Sequence, residues 1–416
     1  MDKIKNIKGT KDIFGDDSYI WQYVEYAIHN FIQKYGYTEI RTPKFENSAL
    51  FKRTIGNDTD IVSKEMYSWT DQGNNSLTLK PEVTASVVRA YIQHNLGKKN
   101  ITNKLYYIDS LFRRERPQKG RYRQFEQFGI EAIGSKYPEQ DSEVISLAYN
   151  FYKNLNIKNL SLKINNIGSR ETRLKYKKEL LNYIKPFSNK LTKTSQNRLK
   201  TNPLRILDTK IDFEIDIIKN CPKIIDFISK KDLDNFNKVL DFLQKSNIKY
   251  EIDHLLVRGL DYYSRTVFEI HTDVLGAQSA LCGGGRYDYL IEELGGSPTP
   301  AVGFAAGIER LILALKLDHN KIIKRPDIYM ITAGSQAVKF SIPIANDLRL
   351  KTGKIVINDM HRRSLKSQLK EANKFNAKYV IIIGSDEIEK GEVLIKDMKS
   401  GEQKNIEVKK IDAFFK

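Results

Sequence analysis

The chain of 416 residues is long enough for two or three domains, each with its own hydrophobic core. Hydrophobic residues make up 40% and charged residues 29%, which excludes a disordered chain and indicates a soluble globular protein. The 69 Lys and Arg residues exceed the 51 Asp and Glu residues by 18. This excess either serves a polyanionic partner such as a nucleic acid or reflects a general compositional preference for lysine.

The cysteine and histidine content excludes further classes of protein. Only Cys221 and Cys282 are present, which excludes a disulfide framework and a cysteine-rich zinc site and fits a reducing compartment. The six histidines lack metal-ligand spacing. The first residues lack the apolar segment of a secretory signal, and no apolar run approaches the roughly 20 residues of a membrane span. We therefore expect a cytoplasmic protein with no membrane span and no protein-bound metal.

The first 153 residues are predicted to form a mixed block of helices and strands. The signals are apolar residues at helical spacing, a strand stopped by proline, and two aromatic-rich strands that flank a basic loop. In chain order the predicted elements are a helix over 18–35, a strand over 37–41, a helix that begins after Pro81 within 77–95, strands over 104–113 and 124–133, and a helix over 139–153. The two aromatic-rich strands should form an antiparallel hairpin.

The sequence pattern changes near residue 154. A strand is predicted over 156–164, and residues 169–250 are charged and helical, which indicates an inserted, mostly helical domain. Strands return at 255–257 and 264–271, followed by a glycine-rich segment and by a glycine turn into an apolar helix.

The last part of the chain alternates strands and helices after a linker at Arg325 and Pro326. This alternation predicts a separate α/β domain over 325–416. Its predicted elements are a strand over 327–332, a helix over 335–350, a strand over 354–357, a helix over 363–374, a strand over 378–383 and two strands within 391–408.

Common nucleotide-binding motifs are missing from the sequence. It contains neither the GxxxxGK[ST] phosphate loop nor a GxGxxG segment between a strand and a helix. If ATP binds, another scaffold must hold it.

Three segments carry chemical signals, and each has two interpretations. The hairpin loop from Arg113 to Arg123 contains six basic residues and one acid, as expected of a phosphate or RNA site or of a solvated loop. The glycine turn at 303–307 with Arg310 is either a close approach to a ligand or a packed junction. Arg258 begins the segment RGLDYY, which is an ion-paired structural site or a ligand site.

In this order the pieces resemble motifs 1, 2 and 3 of class II aminoacyl-tRNA synthetases. The first helix with its strand and Pro43, the FRRE–loop–QFGIE hairpin and the glycine turn with Arg310 correspond to the three motifs. LVRGLDYYSRTVFE and ALCGGGRYDYLIEELGG resemble the two histidine-specific segments of histidyl-tRNA synthetases, and RPQKGRYRQFEQFGIE resembles their motif 2 loop.

The resemblance implies a fold and a domain plan. It predicts an α+β catalytic core over 1–320, built on an antiparallel sheet flanked by helices and interrupted by the mostly helical insertion at 169–250. An α/β domain like the anticodon-binding domains of these enzymes follows at 325–416.

The resemblance also implies an activity and an ATP site. Members of the family activate L-histidine with ATP, as histidyl-adenylate plus pyrophosphate, and transfer it to the 3′ end of tRNA(His). By similarity Arg113 binds the α-phosphate, Arg310 the γ-phosphate, and Arg258 the far side of the α-phosphate as the third catalytic arginine. Arg121 joins the ATP site, and Mg²⁺ is bound with ATP.

A histidine pocket follows from the same resemblance. Glu131 and Tyr263 are expected to bind the two imidazole nitrogens, and Glu82 and Thr84 the α-amino group. The full set of histidine-binding residues is Glu82, Val83, Thr84, Gln127, Glu131, Tyr262, Tyr263 and Tyr287. Two positions depart from the family, which commonly has arginine where Lys80 stands and a small residue where Val83 stands. Both departures lie beside the pocket.

Partners are implied as well. The residues expected to bind tRNA are Lys119, Arg121, Arg123, Arg362 and Arg363. The first helix and strand would form a homodimer interface, although an ordinary core helix fits the same pattern. The alternative function is that of the non-catalytic, histidine-sensing regulatory paralogue of histidine biosynthesis. That paralogue typically lacks the C-terminal domain and the ATP-side arginines, all of which are present here.

Overall fold

The computed structural model describes residues 3–56, 59, 61–118 and 120–416. The chain divides into two compact units, Met1–Leu317 and Asp318–Lys416. Among the described residues, no helix combines the length and the apolar character needed to cross a membrane.

The first unit is built on a large, mainly antiparallel sheet. Its strands are β1 (Thr38–Glu39), β2 (Phe45–Asn47), β3 (Tyr67–Thr70), β4 (Ser76–Leu79), β5 (Asn103–Phe112), β6 (Gln124–Ile133), β7 (Leu160–Asn166), β8 (Tyr250–Ile252), β9 (Ser264–Thr272), β10 (Ala280–Arg286) and β11 (Ala301–Gly307). In the described part of the chain, eight of them form one sheet in the order β1-β5-β6-β11-β10-β9-β7-β8, and β2-β4-β3 form a small second sheet. The edge strands β1 and β8 pair parallel, whereas the six central strands are antiparallel.

Helices accompany these strands along the chain up to residue 322. They are α1 (Asp16–Ile32), α2 (Ser48–Ile55), α3 (Thr84–Gln93), α4 (Leu96–Lys99), α5 (Pro138–Asn154), α6 (Arg170–Ile184), α7 (Lys193–Thr201), α8 (Asp212–Ile218), α9 (Lys230–Lys245), α10 (Leu290–Glu293), α11 (Ile308–Ala314) and α12 (His319–Ile322), the last of which opens the second unit. Gly36, at φ +76°, ends the 3-10 turn that follows α1, because glycine adopts this left-handed conformation without steric cost.

Alternation along the hairpin assigns its side chains to opposite faces of the sheet. β5 and β6 pair without interruption from Asn103↔Ile133 to Phe112↔Gln124, so the predicted hairpin is confirmed. Phe128 and Ile130 pack into the core formed with α1, α5 and α9. Because successive side chains in a strand point to opposite faces, Glu131 lies on the other face, where α3, α6 and the tyrosine-rich segment after Arg258 pack.

Two glycines let β11 pair closely with β6. A Cβ atom on Gly303 would stand 2.0 Å from a carboxylate oxygen of Glu131, and the backbone oxygen of Ile130 would be 2.3 Å away. Gly129 is equally crowded by the Tyr107 hydroxyl and the backbone oxygen of Phe304. Gly303 therefore provides the space in which the Glu131 side chain lies above the sheet, and Gly129 provides space for Tyr107.

Several predicted boundaries need correction. The strand predicted at 255–257 is wrong, because this segment is a loop whose Leu256 carbonyl accepts a hydrogen bond from the Asn165 side chain at 3.0 Å, while the strand itself is β8. The strand predicted at 156–164 begins later, as β7. Residues 76–79 form β4 between β2 and β3, and the helix predicted to begin after Pro81 starts at Thr84.

The helical region at 170–245 packs on the sheet instead of standing apart. Phe236 and Leu243 of α9 share a hydrophobic cluster with Phe151 of α5 and Phe128 of β6. Tyr176 of α6 packs in the hydrophobic cluster on the opposite face of the sheet, together with Tyr262, Tyr263 and Tyr287. The position of this region as an insertion into the catalytic core remains a prediction.

The second unit is an α/β domain with its own core. Its strands are β12 (Ile328–Thr332), β13 (Val356–Asn358), β14 (Tyr379–Ile383), β15 (Glu392–Asp397) and β16 (Gln403–Glu407), and its further helices are α13 (Ser335–Thr352), α14 (Leu365–Lys374), α15 (Ser385–Lys390) and α16 (Ile411–Phe415). The strand order is β13-β12-β14-β15-β16. Its hydrophobic clusters contain only residues of this unit, as expected of a domain that folds around its own core.

Candidate active site

Three distant arginines meet at one cavity of about 480 Å³. Arg113 comes from the end of β5, Arg258 from the loop before β9, and Arg310 from α11. Arg121 and Gln127, two further residues predicted to contact substrates, also line the cavity. The structure thus brings together every residue predicted to contact ATP.

Arg258 is held by several side chains at the wall of this cavity. Its guanidinium group forms an ion pair with Glu269 and lies 5.8 Å from the ring centroid of Tyr263. Glycine at position 283 makes room for it, since a Cβ atom there would lie 2.4 Å from the guanidinium nitrogens. Its Nε is buried and has no hydrogen-bond partner within the described residues. Arg258 is therefore fixed in place and retains hydrogen-bonding capacity for a ligand.

The other two arginines are half-buried cations with backbone contacts. Arg113 donates from Nε to the carbonyl of Pro81 at 2.9 Å and stacks over Phe125, while Arg310 donates to the carbonyl of Ala280 at 2.9 Å. Burial lowers the pKa of both guanidinium groups, and Arg121 lowers that of Arg310 further. A polyanion in the cavity would offset the free-energy cost of removing these charges from water, since it stabilises the charged form of each group.

Beside this cavity lies a buried polar cluster around Glu131. Its carboxylate accepts a hydrogen bond from Thr84 Oγ1 at 2.7 Å and another from the Tyr287 hydroxyl. Tyr262 packs between Tyr287 and Tyr263, with ring centroids 5.7 Å and 4.7 Å away respectively. The residues predicted to surround the imidazole ring therefore lie together, and Thr84 contacts Glu131 in the absence of substrate.

Glu82 is the second buried carboxylate of the cluster. Its Oε1 accepts a hydrogen bond from the backbone N–H of Ala85 at 2.9 Å, whereas its Oε2 is buried and unpaired within the described part of the chain. Burial raises the pKa of Glu82 to about 7 and that of Glu131 to about 8. A cationic or hydrogen-bond-donating ligand would therefore stabilise the ionised form of both carboxyls.

Tyr263 keeps its proton, because burial raises the pKa of its phenol. Together with the Glu131 carboxyl it offers a donor and an acceptor of the kind that a planar ring with one nitrogen on each side requires.

Burial of Glu131 yields a prediction for the unliganded protein. A carboxyl whose pKa rises to about 8 on folding binds a proton that the unfolded chain has already released, so stability falls as pH rises from about 4.5 to 8. Between pH 6 and 7 this costs about 1.4 kcal/mol. Glu131→Gln should remove that dependence. Urea unfolding at pH 6 and 7 should show wild type losing stability relative to the variant, and parallel curves would contradict a raised pKa.

The two departures from the family have local structural explanations. Lys80 is fully buried and donates to Thr42 Oγ1 at 3.0 Å, and it forms an ion pair with Asp109. Val83 precedes α3 and packs with Val87 in the hydrophobic cluster below the site. Lys80 is thus fully engaged by these partners, and Val83 contributes to the core.

The residues predicted to bind tRNA fall into separate groups. Arg121 lies at the cavity, 3.5 Å from the Glu115 carboxylate. Arg123 does not line the cavity; its backbone N–H donates to the carbonyl of Gly9 at 2.7 Å, which ties the loop to the N-terminal segment. Lys119 lies outside the described residues.

Arg362 and Arg363 line a cavity of about 400 Å³ in the second unit. It lies where α13 and α14 begin, beside Gly334 and Ser335. Arg363 also pairs with Asp359 at 2.5 Å, which fixes the loop that carries both arginines.

Motif reasoning missed several residues that shape the site. Glu269 and Gly283 hold and accommodate Arg258, and Arg286 forms a buried ion pair with Asp141 at 2.6 Å that ties β10 to α5. The sequence feature that could have identified the charged ones is a charged residue inside an apolar strand, because a charge buried there requires a partner. Glu269 in the segment VFEIH has this signature.

Comparison with known proteins gives matches along the whole chain. The profile of the family described as Histidyl-tRNA synthetase matches residues 9–181 and 188–311, and that of the Anticodon binding domain matches 327–416. A histidine–tRNA ligase of Caldicellulosiruptor saccharolyticus is 45% identical over 410 residues, 98% of this chain and 97% of that protein. One from Listeria monocytogenes is 45% identical over 404 residues, 96% of this chain and 95% of that protein.

A solved structure matches equally broadly. The apo histidyl-tRNA synthetase of S. aureus superposes with a TM-score of 0.83 at 36% identity, and the match covers 99% of this chain and 100% of that one. The sheet, the hairpin and the arginine-lined cavity, followed by an anticodon-binding domain, define a class II aminoacyl-tRNA synthetase fold. The chain belongs to the histidyl-tRNA synthetase family. The fold class and the family predicted from the sequence are thereby confirmed.

Proposed function

We propose that the protein is a histidine–tRNA ligase, which activates L-histidine with ATP and transfers the histidyl group to the 3′ end of tRNA(His). The observation that carries this proposal is the convergence of Arg113, Arg258 and Arg310 on one cavity, next to the buried Glu131 cluster. Relatives named histidine–tRNA ligase match over nearly the full chain and support the same function.

Activation is an in-line displacement at the α-phosphorus of ATP. A carboxylate oxygen of histidine forms the new bond to phosphorus, the bond to the bridging oxygen breaks, and pyrophosphate leaves with that electron pair. Arg113 and Arg258, on two sides of the phosphate, would stabilise its developing negative charge, and Arg310 would hold the γ-phosphate. Because positioning and electrostatics suffice, no nucleophile from the protein is needed.

Histidine specificity would come from the buried cluster. Glu131 and Tyr263 would bind the two imidazole nitrogens, and the unpaired Oε2 of Glu82 supports a role for that carboxylate in binding the α-amino group. A side chain without the nitrogens leaves buried polar groups unpaired, which costs more than the loss of a contact. Val83, Thr84, Gln127, Tyr262 and Tyr287 complete the proposed pocket.

Mg²⁺ is expected to enter with ATP. Carboxylates stand among the arginines of the cavity, and Glu65, Glu115, Glu269 and Glu309 all line it. Oxygen ligands of this kind suit Mg²⁺, which usually binds through one or two carboxylates together with the phosphates. When bound, the ion would neutralise phosphate charge.

For tRNA we propose two contact regions. Lys119, Arg121 and Arg123 of the hairpin loop would approach the acceptor end, and Arg362 and Arg363 of the second unit would approach the anticodon region. The net charge of +18 supports a polyanionic partner. We further infer a cytoplasmic enzyme, in keeping with the free thiols of Cys221 and Cys282.

We also infer a homodimer formed through the first helix and strand, α1 and β1, and we propose that the small sheet contributes to the same interface. Tyr26 is 69% exposed, Phe45 is 50% exposed, and the latter packs edge-to-face against Trp69 at 6.0 Å. Exposed aromatic groups of this kind are typical of protein interfaces.

Charging of tRNA tests the proposed function. Purified protein, ATP, Mg²⁺ and radiolabelled histidine should yield histidyl-tRNA with a tRNA(His) transcript and little product with a tRNA(Phe) transcript. A protein that binds histidine but charges no tRNA and exchanges no pyrophosphate would instead be a histidine sensor, and the proposal would be rejected.

A further inference from the structure

His271 lies next to the catalytic arginine without lining its cavity. Glu269 and His271 are two residues apart on β9, so their side chains lie on the same face of the sheet. His271 Nε2 lies 2.9 Å from Glu269 Oε2, and the other oxygen of this carboxylate, Oε1, bonds to Arg258. A continuous chain of contacts therefore runs from the imidazole through the carboxylate to the guanidinium group.

Ser279 fixes the orientation of the histidine ring. Its Oγ lies 2.9 Å from Nδ1 of His271. Because the carboxylate can only accept when it is ionised, Nε2 carries the proton and donates to Glu269, and Nδ1 accepts from the serine hydroxyl. Burial alone would raise the pKa of Glu269, but the hydrogen bond from His271 and the charge of Arg258 lower it on balance. The carboxylate is therefore ionised at neutral pH.

The ion pair of Arg258 and Glu269 separates two cavities. This ion pair lines the cavity of about 480 Å³ that Arg113 and Arg310 also line, which is the proposed phosphate cavity. It also lines a second cavity of about 330 Å³. His271 lines only the second one, together with Lys163 and Lys210. Among the described residues, the hydrogen bonds of His271 connect it to Arg258 only through Glu269.

We propose that His271 is a positioning residue for adenylate formation, which acts by holding the Glu269 carboxylate so that only one of its oxygens binds Arg258. This inference rests on the proposed function. Without the imidazole, the carboxylate can turn and offer both oxygens to the guanidinium, the bidentate geometry that arginine favours. The guanidinium would then be drawn toward Glu269 and away from the α-phosphate.

The test compares three variants of the full-length protein in histidine-dependent ATP–pyrophosphate exchange. His271→Ala should lower kcat about tenfold, the scale of one lost positioning contact, and leave the KM for histidine unchanged. His271→Gln retains an N–H donor in the place of Nε2 and should recover most of the rate. Lys210→Ala is the matched control: it removes a side chain of the same cavity that pairs with Asp208 at 2.9 Å, and kcat should stay at the wild-type value.

Thermal unfolding of each variant separates positioning from folding. A kcat for His271→Ala within twofold of wild type would overturn the proposal. Equal losses in the alanine and glutamine variants, with a lowered Tm in both, would assign His271 a structural role and overturn it as well. Failure of the proposed function would differ from both results, because wild type itself would then show no histidine-dependent exchange.

Discussion

Replacement of Arg258 by alanine should lower the rate of histidine-dependent ATP–pyrophosphate exchange at least about a hundredfold. The change removes a half-buried guanidinium group from the wall of the arginine-lined cavity, where, in the proposed reaction, charge develops as pyrophosphate leaves. Because this charge is largest in the transition state, kcat should fall more than the KM for histidine rises. Near-normal exchange would remove Arg258 from the catalytic mechanism.

The substitution Gly283→Ala tests whether the position of the Arg258 guanidinium matters, because it leaves that side chain in the protein. The added methyl group of Gly283→Ala would lie 2.4 Å from the Arg258 guanidinium, so the guanidinium must move. The backbone of Gly283 is not in the left-handed region, so alanine can adopt the same conformation. The group that must move is the end of a flexible side chain, so the fold should tolerate the change. Exchange activity should therefore fall more than tenfold while Tm changes little. Full activity in this variant would show that the position of Arg258 is not critical.

Deletion of residues 325–416 should separate the two steps of the reaction. The truncated protein should still form histidyl-adenylate, but its charging of tRNA should fall at least about a hundredfold, because contacts to the anticodon region are lost. The hydrophobic clusters of the first unit contain no residue beyond Leu315, and those of the second unit none before Ile328. Each unit therefore retains its own core.

Pyrophosphate exchange and tRNA charging, measured on the same preparation, provide the internal control. Exchange near the wild-type rate demonstrates that the truncated protein is folded, and the loss of charging then reports on tRNA alone. Equal loss of both activities would contradict the assignment of this unit to tRNA binding.

Much of the fold could be predicted, because local patterns and tertiary structure agree. The two aromatic-rich segments on either side of the basic loop predicted the central hairpin, and the glycine turn before Arg310 predicted the junction of β11 and α11. Arg113 and Arg310 lie in segments whose resemblance to motifs 2 and 3 could be recognised from a few residues, and Arg258 lies in a segment that resembles a histidine-specific one. Their convergence in space depends on sheet order, which the resemblance supplied and local periodicity alone does not encode.

The remaining features depend on contacts between distant segments. The loop at 255–257 is apolar enough for a strand, yet its Leu256 carbonyl is bound by the side chain of Asn165 instead of by a neighbouring strand. The place of Lys80 beside the pocket likewise depends on its buried ion pair with Asp109, a residue 29 positions away in the sequence. The roles of Glu269 and His271 likewise follow from how β9 faces Arg258, which no sequence motif describes.

The central claim is that an arginine-lined phosphate cavity adjoins a pocket specific for an imidazole side chain. Pyrophosphate exchange measured with each of the twenty amino acids tests both parts at once. Histidine alone should support exchange, and the other nineteen should remain near background, since none presents two nitrogens at the same separation to Glu131 and Tyr263. Exchange that is equally fast with another amino acid, or absent with all of them, would contradict the account.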